Sequence, residues 1–394
     1  MRTLVVGGEY IEIGSDIYVP ERCWRMVRIF SDHLAQPVFA RRKVESSDRA
    51  FFSARFPSDV DFSPVTPPTS RKPWQLALPD LDWNRRWYER MIADVDAVYC
   101  RFPSWEGMRL YELAREQDKI VFASIHGDWA GVYRYLARDL SFPRDRLFTR
   151  LSRISHQSML RVAETTRVLF CVGRLLCEQY GTAAPAAVNF ANYLHRESDM
   201  RERDDTCLAP PYHILFVGQL ESRKGVEYLI RAAARVRASG IDVQVSLVGS
   251  GDLQPGLSRL ADDLGMGDAV RFHGYVPFGR ELFDLYSESD LFVLPALAGE
   301  GLPKVLVEAM SQGVPVIASN VGSSRFVIEE SGAGLLVAPG DEAALADAIR
   351  QLVSETRMRR AMIRAGLAYA ARTNVDFQRT VVSNALAEYV PELV

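Results

Sequence analysis

The stretch Glu300-Gly301-Leu302-Pro303-Lys304-Val305-Leu306-Val307-Glu308-Ala309-Met310, continued by Ser311-Gln312-Gly313-Val314-Pro315-Val316-Ile317-Ala318-Ser319, reads as loop, helix, glycine stop and buried strand. One carboxylate stands in the loop and a second inside the helix. Pro303 suits the first helical position, where its missing N–H costs nothing. The amides that follow, at Lys304 and Val305, are then expected to lack intrahelical partners and to face whatever lies in front. Free amides at a helix start, beside an ammonium, make an anion site. Glu308 lies too far along the helix to touch that anion, but a carboxylate accepts hydrogen bonds from two neighbouring hydroxyls, as on a ribose. An anion beside a polyol is what a nucleotide-sugar presents.

A second element points the same way. In Phe216-Val217-Gly218-Gln219-Leu220-Glu221-Ser222-Arg223-Lys224-Gly225-Val226 a strand ends at Val217, a glycine starts the loop, and Lys224 and Gly225 open the next helix. Basic residues at such a strand–loop–helix junction suit phosphate, Arg gripping two oxygens and Lys acting as a point charge. A plain connecting loop with surface cations reads equally well alone; coincidence with the Glu300–Glu308 element favours phosphate.

Working outward, 394 residues suit about two domains at roughly 150 residues each. The chain is 48% hydrophobic and 25% charged with a formal net charge of −3, so the whole molecule has no bias toward nucleic acid. Its five cysteines, Cys23, Cys100, Cys171, Cys177 and Cys207, have no metal-type spacing, and their odd number suits free thiols in a reducing cytosol. No apolar run reaches the length of a membrane span.

Strands are expected at Thr3–Val6, leading into a Gly7–Gly8 turn, and at Val38–Ala40, Ala97–Cys100, Ile120–Ser124 and Val168–Val172. Helices are expected at Glu21–Leu34, Trp83–Ile92, Gly107–Glu116 and Arg146–Ala163. Residues 41–80 lose regularity, with prolines breaking loops that carry Phe51, Phe52, Phe56, Phe62 and Trp74. Residues 196–211 are polar, contain Pro210-Pro211 and read as a linker. Beyond them, unbroken apolar strands alternate with helices, which indicates a parallel sheet covered on both faces. The expected architecture is α/β: two doubly wound Rossmann-like domains, 1–195 and 212–375, facing across a cleft, with residues 376–394 returning as a helix to the first.

Gly218-Gln219-Leu220 with Arg223-Lys224-Gly225, Glu300-Gly301-Leu302-Pro303, Glu308-Ala309-Met310 and Gly313-Val314-Pro315-Val316 together resemble the retaining GT-B glycosyltransferases of family four. The resemblance is close over 213–353 and fainter before it. It implies that Glu308 holds the donor ribose, that Glu300 contacts the transferred sugar, and that Lys224 neutralises the diphosphate leaving group. Gly274, Tyr275 and Val276 would frame the base, with Gly218, Gly301, Leu302, Lys304 and Val305 lining the donor site. Family members commonly carry Arg where this chain has Gln219, which removes a cation; Arg223 is the candidate substitute. Ala123-Ser124-Ile125-His126-Gly127-Asp128 resembles the His-Gly turn by which the family reaches the donor sugar, and Gly8 would let backbone approach the diphosphate.

The resemblance implies transfer from a UDP-sugar, with a GDP-sugar next, to a saccharide or lipid-linked hydroxyl in envelope or exopolysaccharide assembly. No Asp-x-Asp metal site stands out, and no cofactor is expected. The basic run Arg134, Arg138, Arg144, Arg146, Arg150, Arg153 and Arg161, interleaved with Leu147, Phe148, Leu151, Ile154 and Leu160, suits either a solvated face or peripheral contact with anionic lipid at the inner face of a membrane. The rival readings are a sugar-nucleotide epimerase of the same fold and a catalytically silent nucleotide-sugar-binding protein.

Overall fold

Runs such as Ile214-Leu215-Phe216-Val217 and Leu291-Phe292-Val293-Leu294 are apolar at every position, a pattern stable only where both faces of a strand are covered. A computed structural model of the chain, describing all residues except 14–15, 44–53, 58–60, 66–84, 139–140 and 142, places both runs in such a setting. The chain divides into two compact units, the first made of Met1–Trp129, Arg153–Asn192 and Gln378–Val394, the second of Ala130–Ser152 and Tyr193–Phe377.

The second unit is built on a six-stranded, wholly parallel sheet. Its strands lie in the order Val270–Gly274, Val243–Val248, Tyr212–Val217, Leu291–Leu294, Val316–Ser319 and Gly334–Val337. In chain order this is 3-2-1-4-5-6, the doubly wound arrangement, and it reverses direction between Tyr212–Val217 and Leu291–Leu294. Helices Val226–Ala238 and Glu342–Ser354 pack together, as do Lys304–Ser311 and Thr356–Ala371. Leu215, Phe216, Leu247, Phe292, Leu306 and Ile349 are buried between these layers.

In the first unit the parallel strands run Phe62–Val65, Gln36–Lys43, Arg2–Ile13, Ala97–Phe102, Ile120–Ile125, Leu169–Val172 and Ala187–Phe190. The short strands Asp16–Val19 and Ala54–Arg55 extend this sheet antiparallel. The first strand corrects one expectation. Gly7 and Gly8 do not form a turn: the strand runs through them to Ile13, and pairing with Gln36–Lys43 slips between Val6 and Glu9. Paired glycines inside a strand mark a bulge as readily as an end. Much of the irregular 41–80 region, including Phe51, Phe52 and Trp74, lies outside the described residues, whereas Phe56 is buried against Trp24.

Residues 196–211, read as a linker from their polarity, are fixed to the second unit. Arg201 N–H donates to Ser311 O (2.9 Å), and the Arg203 guanidinium donates to Ser287 O and Ser289 O (2.9 and 2.8 Å). Asp205 pairs with Arg359 at 2.9 Å, both side chains being almost fully buried (6% and 3% exposed). Polarity here is shared between the two: Arg203 and Asp205 bond to the domain, while Arg196, Glu197, Glu202 and Asp204 are exposed. The helix Val375–Tyr389 leaves the second unit, and from Gln378 onward it packs in the first, where Gln378 accepts from Ala191 N–H at 2.7 Å and Arg379 pairs with Asp32.

Candidate functional site

Open α/β sheets form a crevice outside the carboxyl ends of their strands where the order reverses. In the second unit that crevice is bordered by the loops after Val217 and Leu294. The first loop is shaped by close backbone approach. Gly218 N–H donates to Val248 O (2.9 Å) and Leu220 N–H to Ser250 O (3.0 Å). A Cβ at Gly249, whose φ is +133°, would lie 1.9 Å from Gly218 O, so no other residue fits there. The loop then makes a 3-10 turn over Ser222–Lys224. Gly225, at φ +62°, follows, and its missing Cβ leaves room for Pro295 O, which would otherwise stand 2.2 Å away. Leu297 N–H donates to Arg223 O at 2.7 Å, which ties the two loops together.

That tie brings Lys224 to Glu300. Lys224 Nζ stands 2.5 Å from Glu300 Oε1, and Arg223 Nη1 approaches the same oxygen at 4.0 Å. Arg223 is oriented from behind, its Nε donating to Glu221 Oε2 at 2.8 Å. The three side chains are 14% (Lys224), 6% (Glu300) and 22% (Arg223) exposed, so the pairing is screened only weakly by water. Glu300 is held by its own backbone: Ser323 N–H donates to Glu300 O at 2.8 Å, and Gly322 leaves space for that carbonyl. Gly299, at φ +77°, faces Val132 of the helix Trp129–Arg138. Gln219 is exposed.

Gly301 is buried and Leu302 half-buried, and Pro303 precedes the helix Lys304–Ser311 instead of beginning it. The expected pair of free amides is also corrected. Lys304 N–H donates to Leu302 O at 2.9 Å, because ψ of +82° at Pro303 folds the chain back before the helix starts. Among the described residues the Val305 amide has no backbone acceptor, so one donor of the two is left at this end. Glu308, 2% exposed, accepts a hydrogen bond at Oε2 from the buried Tyr286 hydroxyl (3.1 Å). Tyr286 had no sequence signal, since a tyrosine on the inward face of a helix reads as core. Gly274, at φ +72°, accepts from Gly249 N–H at 2.7 Å, which binds the Gly274-Tyr275-Val276 turn to the Gly218 loop. Tyr275 is 39% exposed there.

Lys224, Arg223, Glu300 and the helix carrying Glu308 thus share one end of one sheet. His126 and Gly8 belong to the first unit. His126 Nε2 lies 2.7 Å from Ser124 Oγ, which also meets the Tyr99 hydroxyl at 2.7 Å, and 3.4 Å from Arg101 Nε. Burial, foremost, pushes the Tyr99 phenol well above its ordinary pKa, so it keeps its proton. All seven arginines of the 134–161 run are exposed, as are Leu136, Leu147 and Ile154. Among the described residues no group of three His, Cys, Asp or Glu side chains is placed to hold a metal ion.

Comparison with known proteins agrees with this fold. Residues 203–368 match the family model for glycosyl transferases group 1. Similar curated proteins include the alpha-D-kanosaminyltransferase of Streptomyces kanamyceticus, 32% identical over 170 residues, which are 42% of each chain. The phosphatidyl-myo-inositol mannosyltransferase of Mycobacterium leprae is 36% identical over 154 residues, 39% of this chain and 40% of that one. The chain thus spans about two fifths of the length of these relatives. Among solved structures, Anabaena HepE in complex with UDP and glucose superposes with a TM-score of 0.72 over 100% of both chains at 16% identity. The chain therefore has the GT-B fold, and its residues 203–368 are similar in sequence to the glycosyl transferases group 1.

Proposed function

We propose that the protein is a retaining glycosyltransferase that moves a sugar from a nucleoside-diphosphate donor, UDP-linked first and GDP-linked second, to a hydroxyl of a saccharide or lipid-linked acceptor. The observation that carries this reading is the Lys224–Glu300 contact of 2.5 Å at the reversal point of the second sheet, with Glu308 buried in the helix that follows. As the bond from sugar to phosphate breaks, charge grows on the diphosphate. Lys224, Arg223 and the Val305 amide are the groups assigned to stabilise it, and preorganised donors of this kind contribute roughly 2.7–4 kcal/mol each. Arg223 takes the place of the cation that Gln219 lacks. Glu300 would meet the hydroxyls of the transferred sugar, Glu308 those of the ribose, and the Gly274–Val276 turn the base. The role of His126 at the sugar and of Gly8 at the diphosphate rests on the resemblance of their turns alone.

Envelope polysaccharide or glycolipid assembly is the proposed setting, in keeping with the lipid named for the mycobacterial relative. Turnover is expected without a divalent ion, and the exposed Arg134–Arg161 region is assigned to anionic lipid. The test is to incubate the protein with UDP-, GDP- and ADP-linked sugars, with and without acceptor extract and with chelator present. Release of nucleoside diphosphate that depends on acceptor supports the reading. Consumption of donor without acceptor favours an epimerase, and binding without consumption a silent sensor.

A further inference from the structure

Glu300 Oε1 is the meeting point of both cations assigned to the diphosphate, 2.5 Å from Lys224 Nζ and 4.0 Å from Arg223 Nη1. We propose that this carboxylate is the counter-ion that makes the site favour an intact nucleotide-sugar over the bare nucleoside diphosphate left after transfer. The inference rests on the donor-site reading above and adds a role to it: Glu300 governs which nucleotide is kept and which is let go.

The physical reason is competition for one pair of cations. The Glu300 side chain is 6% exposed, and its backbone is anchored by Ser323 N–H, so the carboxylate cannot retreat into water when an anion arrives. A diphosphate that engages Lys224 must draw the ammonium off Glu300 or share it, which leaves two anions close together in a weakly screened place. An intact donor compensates the carboxylate with sugar hydroxyls, which donate hydrogen bonds where the ammonium was. The bare diphosphate offers no such donors. It also carries roughly one more negative charge near neutral pH, because its terminal phosphate ionises a second time at a pKa of about 6 while the sugar ester cannot. Both effects penalise the product more than the donor. Glu221, which holds Arg223 Nε at 2.8 Å, keeps the guanidinium beside Glu300, so both cations remain under the same carboxylate.

The test is calorimetric titration of UDP, GDP, UDP-glucose and GDP-mannose into the wild-type chain, Glu300→Gln, Lys224→Ala and the double variant. Glu300→Gln should bind the bare diphosphate about tenfold more tightly, an amount equal to about 1.4 kcal/mol, while its affinity for the sugar-linked form stays level or falls. The gain should shrink when Lys224 is also replaced, since the freed ammonium is its source. Glu300→Ala should move product affinity in the same direction, which keeps the test open if the amide re-bonds locally. Nucleotide binding by the wild type, with product affinity unchanged or weaker in folded Glu300→Gln and Glu300→Ala, overturns the counter-ion role while leaving the donor site intact. Wild-type protein that binds none of the four nucleotides overturns the donor-site reading, and this inference with it.

Discussion

Glu300 and Glu308 are eight residues apart in the chain, yet their surroundings ask different things of them. Glu300 sits against two cations, whereas Glu308 is buried with a tyrosine hydroxyl donating to one of its oxygens. Glu308→Gln exchanges one acceptor oxygen for a donor and removes the charge. Donor binding should weaken by about 1.5–3 kcal/mol, the usual worth of a hydrogen bond to a charged group. Calorimetry with the nucleotide-sugar checks this, and unchanged affinity would remove the ribose role. Lys224→Ala should act mainly on kcat, because the charge proposed to meet this lysine develops as the bond breaks; an unaltered rate under saturating donor counts against the leaving-group role. Both acids and the lysine were legible from residue type and spacing. Tyr286 was not, because its hydroxyl matters only through a partner 22 residues away on another helix.

At the scale of elements, the strongest departure from the sequence reading is the polar segment 196–211. Charged residues in a row read as a solvated linker until their partners are known. Asp205 is one such partner: the Arg359 guanidinium donates to it and also to Leu352 O and Val353 O at 2.8 and 2.7 Å. Replacing Arg359 by Met leaves the buried Asp205 carboxylate only the longer contact with the exposed Arg360 at 3.4 Å, and should lower unfolding free energy by up to about 3–5 kcal/mol. Urea denaturation followed by circular dichroism measures it, and a loss below 1 kcal/mol would show the pair to be dispensable. The same segment bonds to Ser311 and Ser287, at the ends of the helices that carry Glu308 and Tyr286. Its loosening should therefore reach the proposed donor site as well as the fold.

For the whole molecule, acid sensitivity follows from histidines that folding keeps neutral. His33, His195 and His273 are each held below the ordinary value of 6.5, burial being the foremost cause in all three. In His195 the Nε2–H donates to Ala370 O at 2.9 Å, and Nδ1 is buried with no partner among the described residues, so a second proton would be stranded there. Because these pKa values are depressed on folding, the unfolded chain binds more protons as pH drops below about 6.5, and stability falls with it. Thermal melts from pH 7.5 to 5 should show a declining Tm, and His195→Gln should make the decline shallower; parallel slopes would contradict the assignment. The exposed arginines of 134–161 carry a separate expectation. The protein should sediment with anionic vesicles and less so after those charges are removed, whereas a native chain that stays in the supernatant ends the lipid assignment.

The sequence by itself determined the parallel sheets and the residue types of the candidate site. Apolar runs need cover on both faces, and a spaced pair of acids with a lysine is a statement about residue type. Tertiary structure alone decided which groups face one another. The Lys224–Glu300 contact depends on the Gly225 loop lying against Pro295 and Leu297, and the buried place of Asp205 depends on a helix more than a hundred residues later. It also decided that Gly7 and Gly8 continue a strand and that Lys304 N–H is already engaged by Leu302 O. Such pairings are made between parts of the chain that local pattern does not connect, so only the folded arrangement specifies them.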